Sequence, residues 1–350
     1  MRLAWFAPRP DPVALELTRT HHVDRFDAPH AHDFVWRHFR SPYELSIVEL
    51  ADSPAHTYAW PYLFHDPGIL ILRAGSLRHS RSDTLSLQHR RHDLRAERAF
   101  SGPGLLRAPL TAARLVVVHD EAAARELRAD YPDVEIRILP IGVTPAPLTP
   151  RSGDFRFRYA SLQPDLVERA ASRARAAGAR VDTAANLDDL AAGDVAIALE
   201  WPPTGAPPVD ALGAMAAGLP AIVFETEAVA AWPTLDPQTW QPRGYLATEA
   251  PIAISIDARD EEHSLMLAMK RLSSDAGLRA ELGGNAARWT ARHANAAAAA
   301  AAWEEVLQDA VTRQPVTLSD ALPAHLTADG TSRARALLAE IGARVDFLEP

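Results

Sequence analysis

Short apolar runs alternate with polar, helix-periodic stretches along the whole chain. In the first half the runs predict strands at Arg2–Phe6, Val23–Phe26, Tyr43–Leu50, Gly68–Leu72, Leu115–His119 and Val134–Leu139. Between them, Val13–Arg19, His56–Phe64, His79–Phe100 and Glu121–Asp130 read as helices, and Pro8-Arg9-Pro10-Asp11-Pro12 reads as a turn. In the second half, strands are expected at Phe155–Tyr159, Arg180–Thr183, Val195–Leu199, Ala221–Phe224 and Ile252–Ile256. Helices are expected at Pro164–Ala177, Leu187–Ala191, Val209–Ala217, Glu261–Ser273, Asp275–Arg292 and Asn295–Thr312. The Ala-rich block Ala294–Ala302 belongs to the last of these, because Trp303, Val306 and Leu307 continue its apolar face. The tail carries a helix at Ser332–Ile341 and a strand-like Val345–Leu348. Thr144–Gly153, rich in Pro, Thr, Ser and Gly, reads as a linker. Continuous apolar strands separated by helices point to an α/β protein with parallel sheets. The expected division is 1–143, a linker at 144–153, 154–292, and a bridging helix with tail at 293–350.

Asp194–Pro237 is the most telling stretch. Val195–Leu199, a loop, Val209–Ala217 and Ala221–Phe224 make one βαβ unit, with Pro208 before the helix and Gly218 after it. The loop Glu200–Pro208 falls at the carboxyl end of a strand and against a helix N-terminus, a place suited to an anionic ligand. The order Asp-Val-Ala-Ile-Ala-Leu, Trp-Pro, Thr-Gly, Ala-Met-Ala-Ala-Gly-Leu-Pro, followed by Trp-Pro-x-Leu-Asp-Pro, resembles the donor-side core of nucleotide-sugar glycosyltransferases of the GT-B fold, family 4 type. The run Leu115–His119, a helix, Tyr131-Pro132, a strand and Pro140-Ile141-Gly142-Val143 resembles the end of that family's N-terminal half. The resemblance implies two doubly wound Rossmann-like domains facing a cleft, with C-terminal helices bridging back. It also implies transfer of a sugar from a nucleotide-sugar donor, retaining and independent of metal.

Against the family pattern, three places depart. The passage after the first strand lacks the Gly-rich loop, Arg73-Ala74 stand where a His-Asp pair is expected, and Thr204-Gly205 run into Ala206, Pro207 and Pro208 rather than a Glu and a Ser. Gly213 stands where many members carry a Glu. These departures support a second expectation of another class, a catalytically silent GT-B scaffold that acts as a binding or assembly partner.

Composition narrows the picture. At 350 residues the chain has room for two cores, and its 47% hydrophobic and 23% charged content is that of a globular protein. A formal net charge of −9 argues against general nucleic-acid binding. No apolar run is long enough for a membrane span, and Met1–Pro8 reads as a first strand rather than a signal peptide. With no Cys the chain has neither disulfide nor thiolate chemistry, which fits the cytoplasm. Arg outnumbers Lys and Ala is abundant, as in a GC-rich bacterial source.

The candidate catalytic residues are His79, shortly after an expected strand, where a neutral imidazole could orient an acceptor or take its proton, and His119, at the end of another, where with Asp120 it could form a polar pair at the interdomain cleft. His79 can equally be a solvated loop residue among arginines. His119 can equally fill a strand end while Asp120 caps the next helix. Donor-binding candidates are Arg158, Thr204, Gly205, Glu225 and Thr226. Arg158 and its neighbour Arg156 can both be structural, Pro207 and Pro208 remove N–H donors from the Thr204 loop, and Glu225 can serve as a helix cap. No metal site and no cofactor is expected, the nucleotide-sugar being the substrate. The partners expected are that donor and an acceptor of unknown identity, or a protein partner if the chain is silent.

Overall fold

The computed structural model describes residues 1–77, 106–144, 155–161, 163–185, 195–200, 206–243, 249–314 and 332–342. The chain divides into two compact units, Met1–Leu139 with Ala300–Pro350, and Pro140–Ala299.

The first unit holds β1 (Arg2–Phe6), α1 (Pro12–Leu17), β2 (His22–Phe26), α2 (Asp33–Arg40), β3 (Leu45–Leu50), α3 (Trp60–His65), β4 (Ile69–Leu72), α4 (Arg107–Ala112), β5 (Leu115–Val118), α5 (Glu121–Asp130) and β6 (Ile136–Ile138). Its sheet runs β2-β1-β3-β4-β5-β6, parallel throughout. Strands β1, β4 and β5 have almost no polar residue because both faces are covered. One face packs Ala4, Phe6, Val48, Leu50, Leu70, Val116 and Val118 against Phe34 of α2, Trp60 and Leu63 of α3, Leu110 of α4 and Leu127 of α5. On the other face Trp5 meets Trp303, ring centroids 5.3 Å apart. Trp303 lies on the long helix Ala296–Thr312, which starts in the last residues of the second unit and continues into the first. In the first unit this helix is also held by Glu304, which accepts from Thr20 Oγ1 and pairs with His21 Nε2, both at 2.9 Å. Asp309 pairs with Arg137 at 3.0 Å.

The second unit holds β7 (Phe157–Ser161), α6 (Pro164–Ala176), β8 (Thr183–Ala185), β9 (Val195–Leu199), α7 (Val209–Ala216), β10 (Ala221–Phe224), β11 (Thr234–Leu235), β12 (Pro242–Arg243), β13 (Ala253–Ile256), α8 (Glu261–Ser274) and α9 (Ala276–His293). The order is β12-β11-β13-β10-β9-β7-β8, parallel except where β11 meets β12. Helices α6 and α8 bury Leu166, Val167, Leu265 and Met269 against one face. Helices α7 and α9 bury Leu212, Met215 and Ala286 against the other. Both units are therefore α/β sheets with helices on both faces.

Local chemistry sets the element ends. Asp11 caps α1, its carboxylate accepting from Val13 N–H at 2.7 Å, and Asp120 caps α5 through Ala123 N–H at 2.8 Å. Gly218 ends α7 with φ 73°, and Leu219 N–H returns to Ala214 O at 3.0 Å, a left-handed closure that favours glycine. The expected helix His56–Phe64 is instead a 3-10 turn, Pro54–Ala59, followed by α3. Pro61 has no N–H to extend the turn and starts a new helix at its second position. Helix α2 and the short α4 were not expected from the pattern. The expected helices His79–Phe100 and Leu187–Ala191, the strand Val345–Leu348 and all but Thr144 of the linker lie outside the described residues.

Helix α9 approaches the α7–β10 turn closely. A Cβ on Gly283 would stand 2.1 Å from the Gly218 carbonyl oxygen. Gly283→Ala forces a methyl group against backbone that has no side chain to move aside, and a loss of about 1–3 kcal/mol is expected. Urea unfolding of the variant checks this, and an unchanged midpoint would show that α9 slides freely. Among the described residues no helix is long and apolar enough to cross a membrane.

Candidate functional site

In open α/β sheets ligands sit beyond the carboxyl ends of the strands, where the order reverses. The first unit reverses between β1 and β3, and the second between β7 and β9.

At the first of these edges the structure gathers charged side chains that the apolar pattern concealed. Arg73 follows β4 directly, and its N–H continues the ladder to Leu50 O at 2.9 Å. Its guanidinium donates through Nε to Glu49 of β3 at 2.7 Å and through Nη2 to Asp11 at 3.0 Å. Glu49 takes a further bond from His56 Nε2 at 3.2 Å. All four side chains are buried or nearly so. Burial works to raise the Glu49 carboxyl, but Arg73 and His56 hold it down to about 2. Asp11 goes the other way, raised from its usual value by burial despite Arg73. Arg73, the residue standing in place of the expected His-Asp pair, is thus the centre of a buried ion cluster.

His119 directly follows β5 at the same edge. Its Nδ1–H donates to Leu139 O at 2.9 Å, which fixes the tautomer and leaves Nε2 with its lone pair. Burial first, and then the charge of Arg73, push the imidazole down to about 3. His119 is therefore neutral at neutral pH. Asp120 beside it acts as the α5 cap. His79 lies outside the described residues.

In the second unit, the step after β10 carries Glu225 and Thr226. Glu225 N–H bonds to Ile256 O at 2.9 Å, anchoring the step to β13. The Glu225 carboxylate is exposed and pairs with Arg243 of β12, which also holds Asp236 at 3.0 Å. Thr226 precedes the 3-10 turn Glu227–Val229 without a side-chain capping bond, so neither residue is spent as a side-chain cap. Arg158 is the second residue of β7, opposite Ala196 of β9. Three residues separate it from the carboxyl end of the strand, about 10 Å, so it is not brought to the edge that bears Glu225 and Thr226. Arg156 pairs with Asp182 at 2.9 Å. Thr204 and Gly205 lie outside the described residues, while Pro207 and Pro208 lead into α7 with no side-chain cap.

Sequence reasoning missed Asp11, Glu49 and His56. One signal was available: Glu49 is the one charged residue of a buried strand, and such a charge needs a partner. Among the described residues no three His, Asp or Glu side chains are placed to share a metal ion.

No protein-family model matches the sequence, and no curated protein is significantly similar to it. Solved structures do match in fold. The chain is similar to HepE (Alr3699) of Anabaena, solved with UDP-glucose, with a TM-score of 0.54 at 13% identity over 88% of this chain and 99% of that one. It is also similar to WaaG, a glycosyltransferase of lipopolysaccharide biosynthesis, with a TM-score of 0.52 at 15% identity over 87% and 99%. At such identities the likeness is one of fold, that of GT-B glycosyltransferases.

Proposed function

We propose that the protein transfers a sugar from a nucleotide-sugar donor to an acceptor. The observation that carries this reading is the match over nearly the full length of HepE, whose structures hold UDP, UDP with glucose, and UDP-glucose. The step after β10 supports it, because Glu225, exposed, and Thr226, half-buried, sit at the carboxyl end of a strand. On this reading the second unit takes a nucleoside diphosphate sugar and the first unit takes the acceptor. Membership of family 4, a retaining and metal-independent course, and a place in the bacterial cytoplasm are carried over from the sequence resemblance and composition. Leaving-group stabilisation would fall to N–H groups and basic side chains of the second unit.

A second reading, the catalytically silent scaffold, is favoured by one observation: Arg73, in the position of the expected His-Asp pair, is locked between Glu49 and Asp11. A thermal-shift titration with UDP, GDP, ADP, TDP and their sugar conjugates separates the two. A ligand that binds only the native state at a hundredfold its Kd stabilises by about 2.7 kcal/mol. A selective rise with one nucleotide and its sugar is the expected result, and no rise with any would favour the scaffold. Glu225→Ala should abolish most of the rise while changing stability of the free protein by less than about 1 kcal/mol, since its ion pair is exposed. A full shift in that variant would remove Glu225 from the donor site.

A further inference from the structure

Two polar atoms at the carboxyl edge of the first sheet are buried without a hydrogen-bond partner: Nη1 of Arg73 and Nε2 of His119. They belong to neighbouring positions. The β4–β5 register pairs Ile69 with Leu115, Leu70 with Val116 and Ile71 with Val117, and its continuation sets Arg73 opposite His119. Adjacent strands lie about 4.8 Å apart, and residues opposite each other project from the same face. The charge of Arg73 acts on the His119 ring accordingly.

The bonds already made decide what each atom can offer. Arg73 has committed Nε to Glu49 and Nη2 to Asp11, so Nη1 is left as a donor only. His119 has committed its N–H to Leu139 O, so Nε2 is left as an acceptor only. A single atom that accepts from one and donates to the other is a hydroxyl oxygen. An ammonium cannot accept from Arg73. An ionised carboxylate cannot donate to His119, and any anion, a hydrogen phosphate with its own O–H included, would face Glu49 and Asp11, which already balance the guanidinium charge.

We propose that Arg73 Nη1 and His119 Nε2 form a binding site for one hydroxyl group of an uncharged sugar or polyol. The inference deepens the transferase reading and rests on it only for naming that hydroxyl as the acceptor's. The Arg73 N–H would hold the oxygen, and the His119 lone pair would take its hydrogen, so the oxygen's remaining lone pair is oriented by the pair. His119 is a positioning residue here, and no covalent step is assigned to it. The same bonds could be made by a trapped water, and the test distinguishes the two sources.

The test is ¹⁵N spectroscopy of the histidine ring nitrogens in the full chain, titrated with glucose and with glycerol, and separately with acetate and inorganic phosphate. UDP binding is measured in parallel by calorimetry. The expected result is a saturable movement of the His119 Nε2 resonance with glucose or glycerol and none with either anion. Arg73→Lys and His119→Asn should each weaken glucose binding at least tenfold while leaving the UDP affinity within about twofold; the first keeps the charge beside Glu49, so its fold is maintained. An Nε2 resonance that neither polyol moves would mean a trapped water only and would overturn the proposal, even if UDP binds. A resonance moved by phosphate rather than by polyols would overturn it as well. Absence of UDP binding alongside a polyol response would sink the transferase reading and leave the hydroxyl site standing.

Discussion

Replacing Arg73 by Met is expected to destabilise the first unit by about 3–5 kcal/mol, the usual effect of removing one partner from a buried ion pair. The argument rests on what the variant leaves behind. Glu49 would keep only its bond from His56, and Asp11 only its bonds to the start of α1. Both carboxyls are desolvated, so each must either stay charged without compensation or take up a proton at neutral pH. The double variant Arg73→Met, Glu49→Gln removes one of those charges and should recover part of the loss. Denaturant unfolding should be followed by near-ultraviolet circular dichroism, because the chain has two units and need not unfold in one step. A loss under about 1 kcal/mol would mean that water reaches the cluster freely. A double variant as unstable as the sum of its singles would mean that the two residues are not coupled.

Acid sensitivity traceable to His119 is the second large effect. The folded imidazole is held near 3 by burial and by Arg73, against 6.5 for the free group. Between those values the unfolded chain binds a proton that the folded chain does not. Stability must therefore fall as pH drops from about 6.5 towards 3, by up to about 1.4 kcal/mol per pH unit. Glu49, depressed from 4.5 to about 2, acts in the same sense below 4.5. Asp11 is raised and opposes both, because its folded carboxyl takes a proton more readily than the unfolded one. The His119→Asn variant isolates the imidazole. The difference between wild-type and variant stability should slope by about one proton between pH 6 and pH 5. Parallel profiles would show that the imidazole is solvated in the folded protein.

How far the sequence anticipated this molecule depended on whether a feature is local. Strands β1, β9 and β10 match the predicted runs residue for residue, because uninterrupted apolar stretches between turn residues leave little choice. Pro208 and Gly218 mark the ends of α7 for equally local reasons. Arg158 shows where this fails. The expected strand Phe155–Tyr159 puts it one residue from the carboxyl end, while the actual strand, Phe157–Ser161, puts it one residue from the start. Two residues of displacement move a side chain about 7 Å along the strand, enough to separate a basic group from the edge where ligands bind. Phe155, read as part of the strand, instead stacks edge-on against Phe157 with Arg279 over its ring. The ion cluster was hidden for a different reason. Asp11, Glu49 and Arg73 are far apart in sequence, and only the order β1-β3-β4 makes them neighbours. Helix α2 was missed because its apolar residues barely cover one face: Phe34 is buried, whereas Trp36 and Phe39 are exposed.

The helix Ala296–Thr312 has a consequence for the order in which the protein is made. The second unit is one uninterrupted segment, Pro140–Ala299, whereas the first needs residues from beyond it. A ribosome therefore releases everything the second unit requires before it releases Trp303, the residue that covers Trp5. Domains commonly fold as they emerge, the N-terminal one first. Here the later-made unit is the earlier one to be complete, and the nascent first unit lacks the Trp303 partner of Trp5 until that residue has emerged. A chaperone that shields aromatic surface would find its substrate in that interval.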